Sequence, residues 1–410
     1  MTSSRVPGCQ ANDLMTAADP PAVLLGGAVN AVSAARSLGS RGIRVRSLAE
    51  SQALQPVRWS RFISEHVMFP GGNLHTWWRD WLERRSDGSV VLPTSDHGLE
   101  FIARNRSFLE SLGYRPVEAN DDLVLALLDK GQTYRVAMDA GVEAPKAVRI
   151  QGVQDLTSHK IGYPCAIKPV EAHRAPPGFR DRKVVVAHDQ PALEAAVRAM
   201  CGSGASVVVT EVVPGADDAF CSYYTYLVGG DPLFHYTKRK LRQHPIHFGD
   251  GSYHVGEDIS EAREIGLRLF RAAGLVGLGN VEFKRDARDG RLKLIECNLR
   301  LTAADPMIRA GGLDLTQLLY DRACGRQDFQ LGPLRQGVRQ WDPSRDVRAF
   351  VQYRRAGEIT TTAWVWSILG RACLPLFSLS DPGPSMANAF AAPQRLFRLN
   401  RRRRANAGKL

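Results

Sequence analysis

One short segment near residue 300 combines side chains that could bind a metal ion and an anion. Glu296-Cys-Asn-Leu-Arg300 follows the apolar run Leu292-Lys-Leu-Ile, and its acidic, amide and basic residues stand at every second position. Because side chains alternate between the two faces of a β-strand, Glu296, Asn298 and Arg300 are predicted to share one face. Carboxylate and amide oxygens are the ligands that Mg²⁺ prefers. Arginine is suited to holding a carboxylate or a phosphate.

A second carboxylate is expected to reach this face from a neighbouring strand. The segment Gly279-Asn-Val-Glu-Phe leads through the turn signal Asp289-Gly290 into the first segment, which is typical of a β-hairpin. Glu282 would then lie beside Glu296. A strand face of solvated or ion-paired charges is the alternative interpretation. Two carboxylates, an amide and an arginine together favour a site for metal and phosphate chemistry.

Two lysines and a proline-rich loop precede this hairpin in the chain. Lys130 lies in a predicted helix that spans Leu123–Gly141. The run Tyr163-Pro-Cys-Ala-Ile-Lys168 is predicted to be a buried strand that presents Lys168 at its end, with Val184–Ala187 as its antiparallel partner. Between these strands, Glu171–Arg182 is rich in Pro, Arg and Gly and is predicted to be a mobile flap.

The first 120 residues are predicted to contain a parallel sheet. Ala22-Val-Leu-Leu-Gly-Gly, a following helix and a strand after Gly42 form a βαβ pattern. NAD binding is not expected, because the two glycines are followed by Ala-Val-Asn rather than by a G-x-G-x-x-G motif. A later strand, Ser89-Val-Val-Leu-Pro, ends in residues that could line a substrate site or cap a helix. These residues are Thr94, Ser95 and Asp96.

Composition places the chain among globular proteins with anionic partners. It has 410 residues, of which 44% are hydrophobic and 23% charged, and this length suffices for two or three domains. The net charge of +12 favours nucleotides, acidic lipid headgroups or nucleic acid as partners. Seven scattered cysteines and the absence of a basic-then-apolar N-terminus indicate a cytoplasmic protein. No aromatic and basic module for base recognition is visible, so we expect no specific nucleic-acid partner.

The order of these motifs resembles that of the ATP-grasp superfamily. Lys130, Lys168, Glu211-Val-Val-Pro-Gly and the pair of segments around Glu282 and Glu296 occur in the superfamily's sequence order. The resemblance covers about residues 20–325. A weaker resemblance, in the basic stretch that begins at His235, is to the branch of D-aspartate ligase and related carboxylate–amine ligases.

The resemblance implies an α/β protein with the ATP-grasp fold and several segments. These would be a disordered tail (1–20), a Rossmann-like pre-ATP-grasp domain (21–120), a lid subdomain (121–215), a catalytic subdomain (216–330) and a C-terminal extension with a basic tail (331–410).

The resemblance also implies a role for each matching residue. The ATP-binding residues would be Lys130, Lys168, Glu211, Val212, Val213, Lys238 and, for the ribose, Asp218, with Asp217 as its alternative. The Mg²⁺ ligands would be Glu282, Glu296 and Asn298. Arg300 would steady the acceptor carboxylate or the transferred phosphoryl group. Lys238, Lys240 and Arg242 lie in the region that often supplies a contact to the γ-phosphate, with an exposed basic strand as the alternative.

The activity implied by the resemblance is that of an ATP-dependent carboxylate–amine ligase. ATP would activate a small carboxylate as an acyl phosphate with release of ADP, and an amine would then form the amide. The alternatives are carboxylation, thioester formation, or a non-catalytic ATP-binding protein docked on a membrane or a complex. Members of the superfamily are often dimers, so a homodimer is compatible with the resemblance.

Two features of the chain depart from the superfamily's pattern, and the C-terminal tail lies outside the resemblance. The flap contains a single glycine, Gly178, and three arginines, whereas the superfamily's loop is glycine-rich. The superfamily's acceptor pocket is not recognisable. Near the C-terminus, the apolar stretch Trp364–Leu379 precedes Arg401–Arg404, which indicates either a solvated end or peripheral contact with an anionic membrane.

Overall fold

The computed structural model describes residues 19–53, 55–158, 161–175, 184–327, 329 and 331–390. The predicted disordered tail therefore lies outside the described residues except for its last two positions. Most of the predicted flap and the whole of Arg401–Arg404 also lie outside them. The described residues form three β-sheets with helices packed on them, so the predicted α/β class is confirmed.

The first sheet is parallel and is buried on both faces. Its strands are β1 (Ala22–Leu25), β2 (Val45–Leu48), β3 (Glu65–Val67), β4 (Val90–Pro93) and β5 (Arg115–Pro116). Its helices are α1 (Ala28–Gly39), α2 (Leu74–Glu83) and α3 (Asp96–Ser111). The strand order is β3-β2-β1-β4-β5, so the order reverses between β1 and β4. In such sheets ligands bind beyond the carboxyl ends of the strands at this reversal.

The tryptophans of α2 are packing residues. Trp78 and Trp81 are buried against β1, β4 and α3, as their helical spacing predicts. Asn73 caps the helix by accepting a hydrogen bond from the backbone amide of Thr76 at 2.9 Å. The start of α2 is therefore fixed locally.

The second sheet is small and antiparallel. It consists of β6 (Ala147–Ile150), β7 (Cys165–Pro169), β8 (Val185–Ala187) and β9 (Val207–Glu211), in the order β6-β9-β7-β8. The helices of this region are α4 (Asp121–Leu128), α5 (Lys130–Asp139) and α6 (Gln190–Cys201). The predicted pairing of β7 with β8 is confirmed.

The prediction of one helix over Leu123–Gly141 is wrong, because Asp129 divides it. This residue has an extended backbone, with φ −87° and ψ 113°, and its carboxylate accepts a hydrogen bond from the amide of Gln132 at 3.0 Å. An aspartate offers this capping bond and so competes with continuation of a helix. Lys130 therefore begins a new helix instead of lying inside a longer one.

The third sheet is large and antiparallel. Its strands are β10 (Phe220–Val228), β11 (Asp231–His244), β12 (Asp250–Gly256), β13 (Gly277–Arg285), β14 (Leu292–Asn298) and β15 (Arg339–Trp341), in the order β14-β13-β10-β11-β12-β15. The helices of this part of the chain are α7 (Ser260–Ala272), α8 (Asp305–Ala310), α9 (Leu315–Ala323), α10 (Pro343–Arg355) and α11 (Thr361–Ile368). The predicted hairpin is β13 and β14.

The residues after 331 are built into this sheet. Strand β15 pairs with β12, and α10 places the buried carboxylate of Asp346 under β11. Asp346 accepts two hydrogen bonds from Arg242, both at 2.8 Å, and one each from Ser252, Trp341 and Trp364. A buried charge is tolerated when it is paired and fully hydrogen-bonded in this way. The described part of the C-terminal extension is thus part of the fold.

The first and third sheets share a hydrophobic core. Residues of α1, α8 and α9 pack together with Tyr224, Tyr226 and Tyr236 of the third sheet. A second core joins α4 and α5 to the buried faces of β10, β13 and α7. These shared cores fix the ends of β1 and β4 opposite the β13–β14 hairpin.

Candidate active site

A cavity of about 420 Å³ lies where the three sheets meet. Eleven of the residues that the sequence assigned to the site line it, whereas Asp217, Asp218 and Arg242 do not. The eleven are Lys130, Lys168, Glu211, Val212, Val213, Lys238, Lys240, Glu282, Glu296, Asn298 and Arg300. Residues more than 150 positions apart in the chain thus converge on one space.

The two glutamates of the hairpin face each other across neighbouring strands. Glu282 of β13 and Glu296 of β14 are paired in register, and a β-bulge follows Glu282. The side-chain nitrogen of Asn298 lies 3.3 Å from Oε1 of Glu296. Two carboxylates and an amide on one face form a donor set that fits Mg²⁺.

Ammonium groups surround this pair of carboxylates. Nζ of Lys240 lies 3.0 Å from Oε1 of Glu282, and Nζ of Lys130 lies 4.0 Å from Oε2 of Glu296. On β7, Lys168 donates a hydrogen bond to the hydroxyl of Tyr134 at 3.3 Å. A polyphosphate with bound metal ions needs carboxylates that hold the metal and cations that contact its phosphates. This arrangement supplies both.

Lys238 and Lys240 are buried neighbours on one face of β11. Lys238 is 4% exposed and donates a hydrogen bond to Nδ1 of His254 at 3.2 Å. Burial lowers the pKa of Lys238 to about 8, with the charge of Lys240 adding to the effect. Lys240 lies 4.1 Å from the ring centroid of Phe220, and Lys284 approaches the same ring at 5.0 Å. Cation–π contacts with this ring stabilise the two ammonium groups, which are largely buried.

Arg300 is held by the first residue of α3. Its Nε donates a hydrogen bond to Oδ1 of Asp96 at 2.5 Å, and its Nη1 donates to the carbonyl of Leu301 at 3.1 Å. Burial alone would raise the pKa of Asp96, but the charge and hydrogen bond of Arg300 outweigh burial and hold that pKa well below its usual range. The contact joins the end of β14 to the reversal point of the first sheet.

The loop after β7 is attached to the same helix. We call Glu171–Ala175, the described start of the predicted flap, the lid segment. Its His173 contacts Glu100 of α3 through Nε2 at 3.0 Å, and its Arg174 pairs with the same carboxylate. Glu100 also accepts from Arg104 at 2.8 Å. Because His173 lines the cavity, this attachment places the lid segment over the site.

The residues between β4 and α3 act chiefly in structure. Ser95 caps α3 by accepting from the amide of Gly98 at 3.2 Å, and Thr94 donates to the carbonyl of Leu25 at 3.1 Å. Gly26 lies so close that a Cβ there would be 2.6 Å from Oγ of Ser95, and its φ is +123°. Of the three weak candidates, only Asp96 lines the cavity.

The two aspartates considered as ribose-binding residues do not line the cavity. The structure does not bring Asp218 to the cavity: its carboxylate lies 3.9 Å from Arg239. The buried alternative, Asp217, accepts hydrogen bonds from Gln243 at 2.7 Å and from the amide of His247 at 2.9 Å.

The side chains of two further predicted residues have structural partners. The prediction that Arg242 contacts a phosphate is wrong, because its guanidinium is bound to Asp346 beneath the sheet. The carboxylate of Glu211 accepts from the amide of Lys146 at 3.0 Å and pairs with Arg288 at 3.1 Å. These bonds fix the turn that carries Val212 and Val213 into the cavity.

Several cavity residues were missed by the sequence analysis. Lys284 stands two positions after Glu282 on the same strand, so the alternation that identified the hairpin could also have found it. Glu100 does not line the cavity but holds the lid segment; it stands one helical turn after Asp96, and nothing local indicates that the lid segment reaches it. Asn30, at the start of α1, required knowledge of the strand order.

Among the described residues, the histidines and cysteines offer one group to consider as a further site. In the described ranges, the one group of three potential ligands within 4.8 Å is His75, His97 and Glu100. The carboxylate of Glu100 is already bound by two arginines and by His173. Burial raises the pKa of Cys221 to about 12, which leaves a neutral packing thiol.

Comparisons with known proteins identify relatives of this chain. No protein-family model matches it. D-Aspartate ligase of Enterococcus faecium is 22% identical over 365 residues, which cover 82% of this chain and 85% of the relative. D-Alanine–D-alanine ligase of Xanthomonas axonopodis pv. citri is 26% identical over 207 residues, which cover 47% of this chain and 62% of the relative.

Solved structures are similar over most of the chain. The ADP complex of N5-carboxyaminoimidazole ribonucleotide synthetase has a TM-score of 0.61 at 14% identity, covering 79% of this chain and 82% of that one. The L-amino acid ligase of Bacillus licheniformis has a TM-score of 0.61 at 16% identity, covering 80% and 81%. At such identities the similarity bears on the fold, and it confirms the fold that the order of motifs predicts.

Proposed function

The chain has the ATP-grasp fold, and on that premise we propose that it is an ATP-dependent ligase joining a small carboxylate to an amine. The carboxylate attacks the γ-phosphorus of ATP, and ADP leaves. The amine then attacks the resulting acyl phosphate, so that an amide forms and inorganic phosphate departs.

One observation carries this proposal: the register pairing of Glu282 with Glu296, with Asn298 beside them and buried lysines opposite. Bound Mg²⁺ would neutralise the phosphates and align the γ-phosphoryl group with the attacking oxygen. Glu282, Glu296 and Asn298 would hold that ion. Lys240, poised 3.0 Å from Glu282, would balance charge that moves to the departing β-phosphate.

The nucleotide would occupy the side of the cavity that faces the small sheet. Lys168 and Lys130 would contact its phosphates, and the backbone of Val212 and Val213 would meet the base. The lid segment would exclude water that would otherwise hydrolyse an acyl phosphate. Lys238 would add a further charge near the phosphates.

The carboxylate substrate would lie at the first sheet's reversal point. Arg300 presents its guanidinium there, oriented by Asp96, and a planar fork of donors matches a carboxylate. The start of α1, with Asn30, closes the same end of the cavity. This arrangement positions the attacking oxygen without a covalent contribution from the protein.

A second candidate reaction is carboxylation, which the similarity to N5-carboxyaminoimidazole ribonucleotide synthetase supports. The relatives in sequence favour amide formation, since D-aspartate ligase is matched over 85% of its length. Trapping with hydroxylamine distinguishes an accumulating acyl phosphate of the organic substrate from a bicarbonate-dependent reaction. A screen of carboxylates and amines for phosphate release would name the substrates.

Two substitutions test the metal ligands. Glu296→Ala and Asn298→Ala should each abolish substrate-dependent ADP release, because each removes a residue that would hold Mg²⁺. Circular dichroism should show an unchanged fold, and Glu264→Ala, at an exposed position of α7, is the matched control. Near-normal turnover in both variants would defeat the assignment. Calorimetric titration with ATP and Mg²⁺, beside the turnover assay, separates a non-catalytic ATP-binding protein from an enzyme.

A further inference from the structure

The positive charge of the chain is concentrated at its C-terminal end. Residues 343–410 contain twelve basic and three acidic residues, a formal net charge of +9 out of the chain's +12. The last 20 residues contain seven basic residues and no acidic one. The rest of the chain is therefore close to neutral, and one region is strongly basic.

Two of the three acidic residues do not offset this charge at the surface. Asp346 is fully buried and is bound to Arg242, as described above. Asp381 is 1% exposed and pairs with Nε of Arg36 at 2.9 Å, while Ser60 donates to it at 2.8 Å. Only Glu358 faces solvent among the arginines of this region.

Large apolar side chains are exposed in the same region. Among the residues that the structure describes, fifteen large apolar side chains are exposed, and seven of these lie between positions 365 and 390. They are Val365, Trp366, Leu369, Phe377, Leu379, Met386 and Phe390. The exposed fraction reaches 69% for Trp366, 73% for Phe390 and 87% for Leu379. A folded chain does not gain from exposing such side chains to water.

The exposure of Trp366 follows from how α11 is anchored. Trp364 stacks on Phe350 with ring centroids 4.5 Å apart and donates its indole N–H to Asp346 at 2.9 Å. Ser367 accepts from Arg242 at 2.8 Å. These bonds fix one side of α11 against the third sheet, and they turn Trp366 outward.

We propose that the exposed apolar side chains of residues 365–390, together with the basic residues that follow them in the sequence, dock the protein on an anionic membrane. Exposed aromatic and aliphatic side chains insert into the headgroup region, while arginines contact acidic lipids. Among the described helices, none is long and apolar enough to cross a bilayer. A nucleic acid would bind the basic residues, but it would leave the apolar side chains of Trp366, Leu379 and Phe390 exposed to water.

Co-sedimentation of the full chain with vesicles tests this surface. Binding is expected to vesicles of phosphatidylcholine with phosphatidylglycerol, to weaken as salt is added, and to be much weaker to phosphatidylcholine alone. Replacing Arg401–Arg404 with glutamine should lower the partition coefficient on the order of a thousandfold, since each of the four arginines contributes about 1 kcal/mol near an anionic surface. Replacing Trp366, Leu379 and Phe390 with serine should also lower it, while Met138→Ser, an exposed apolar residue of α5, should not.

ATP turnover without vesicles serves as an independent measurement. The variants should retain turnover in solution: Trp366, Leu379 and Phe390 do not line the cavity, and Arg401–Arg404 are assigned no part in the proposed site. Equal binding to both kinds of vesicle, unchanged binding of either variant, or binding to an oligonucleotide without binding to vesicles would overturn the membrane surface. None of these results bears on the proposed ligase, and loss of ligase activity does not bear on vesicle binding.

Discussion

The pKa of Lys238 provides a quantitative test of the nucleotide site. Burial lowers this pKa from its ordinary value of 10.5 to about 8. The ammonium group is therefore largely charged at pH 7, but only about one tenth of it is charged at pH 9. If Lys238 contacts phosphates, kcat/KM for ATP should fall about tenfold between pH 7 and pH 9.

The maximal rate should respond differently from kcat/KM. Bound phosphates stabilise the charged lysine and raise its pKa in the complex, so kcat should stay level over the same range. Lys238→Met should lower kcat/KM at pH 7 by roughly 10- to 150-fold, the equivalent of a hydrogen bond to a charged group worth about 1.5–3 kcal/mol. This variant should also lose the decline above pH 8.

Unfolding through the titration of Lys238 cannot produce this decline in kcat/KM. The contribution of this group to the free energy of unfolding changes with pH in the opposite direction. The pKa of Lys238 is lower in the folded chain than in the unfolded chain, so between about pH 8 and 10.5 the unfolded chain binds more protons. This group therefore makes the free energy of unfolding rise with pH in that window. A level kcat/KM from pH 7.5 to 9.5, or a decline that persists in Lys238→Met, would refute the reasoning.

Three further predictions concern the carboxylates that hold the site together. Asp96→Asn should raise KM for the carboxylate substrate about 10- to 100-fold with little change in KM for ATP, because Arg300 loses the charge-assisted bond that orients it; steady-state kinetics with each substrate measure this. Glu100→Gln should speed proteolysis of the lid segment and increase ATP hydrolysis without acceptor, whereas Glu110→Gln, at the exposed end of α3, should change neither. Asp346→Asn should lower the free energy of unfolding by about 3–5 kcal/mol in urea denaturation, and a loss below about 1 kcal/mol would contradict its role as a buried ion-pair partner.

The parts of the site that follow local rules could be predicted from sequence. Glu282 and Glu296 were placed opposite each other because a turn signal and the two-residue period of strands fix a hairpin. Lys238 and Lys240 share a face for the same reason. The strand order of the first sheet was not needed for any of these residues.

The parts that depend on distant contacts could not be predicted. Arg242 has the same spacing as Lys238 and Lys240, yet the register of β11 against β12 shifts after Lys240, and Arg242 pairs with Asp346, which lies 104 residues away. Asp96 meets Arg300 across 204 residues, and no local pattern signals that contact. The break at Asp129 had a local cause, but an aspartate among helix-forming residues does not by itself predict one.

Helix α3 binds two other parts of the site within one turn, and this has a consequence for product release. Asp96 binds Arg300, and Glu100 binds the lid segment. Asp96 and Glu100 both precede Asn105, whose φ of −128° and ψ of 18° interrupt the helix, so they lie on one straight section. A tilt of that section away from the third sheet would pull on Arg300 and on the lid segment together. Uncovering the nucleotide and loosening Arg300 would then be coupled, so that ADP and the product held at Arg300 would be released together.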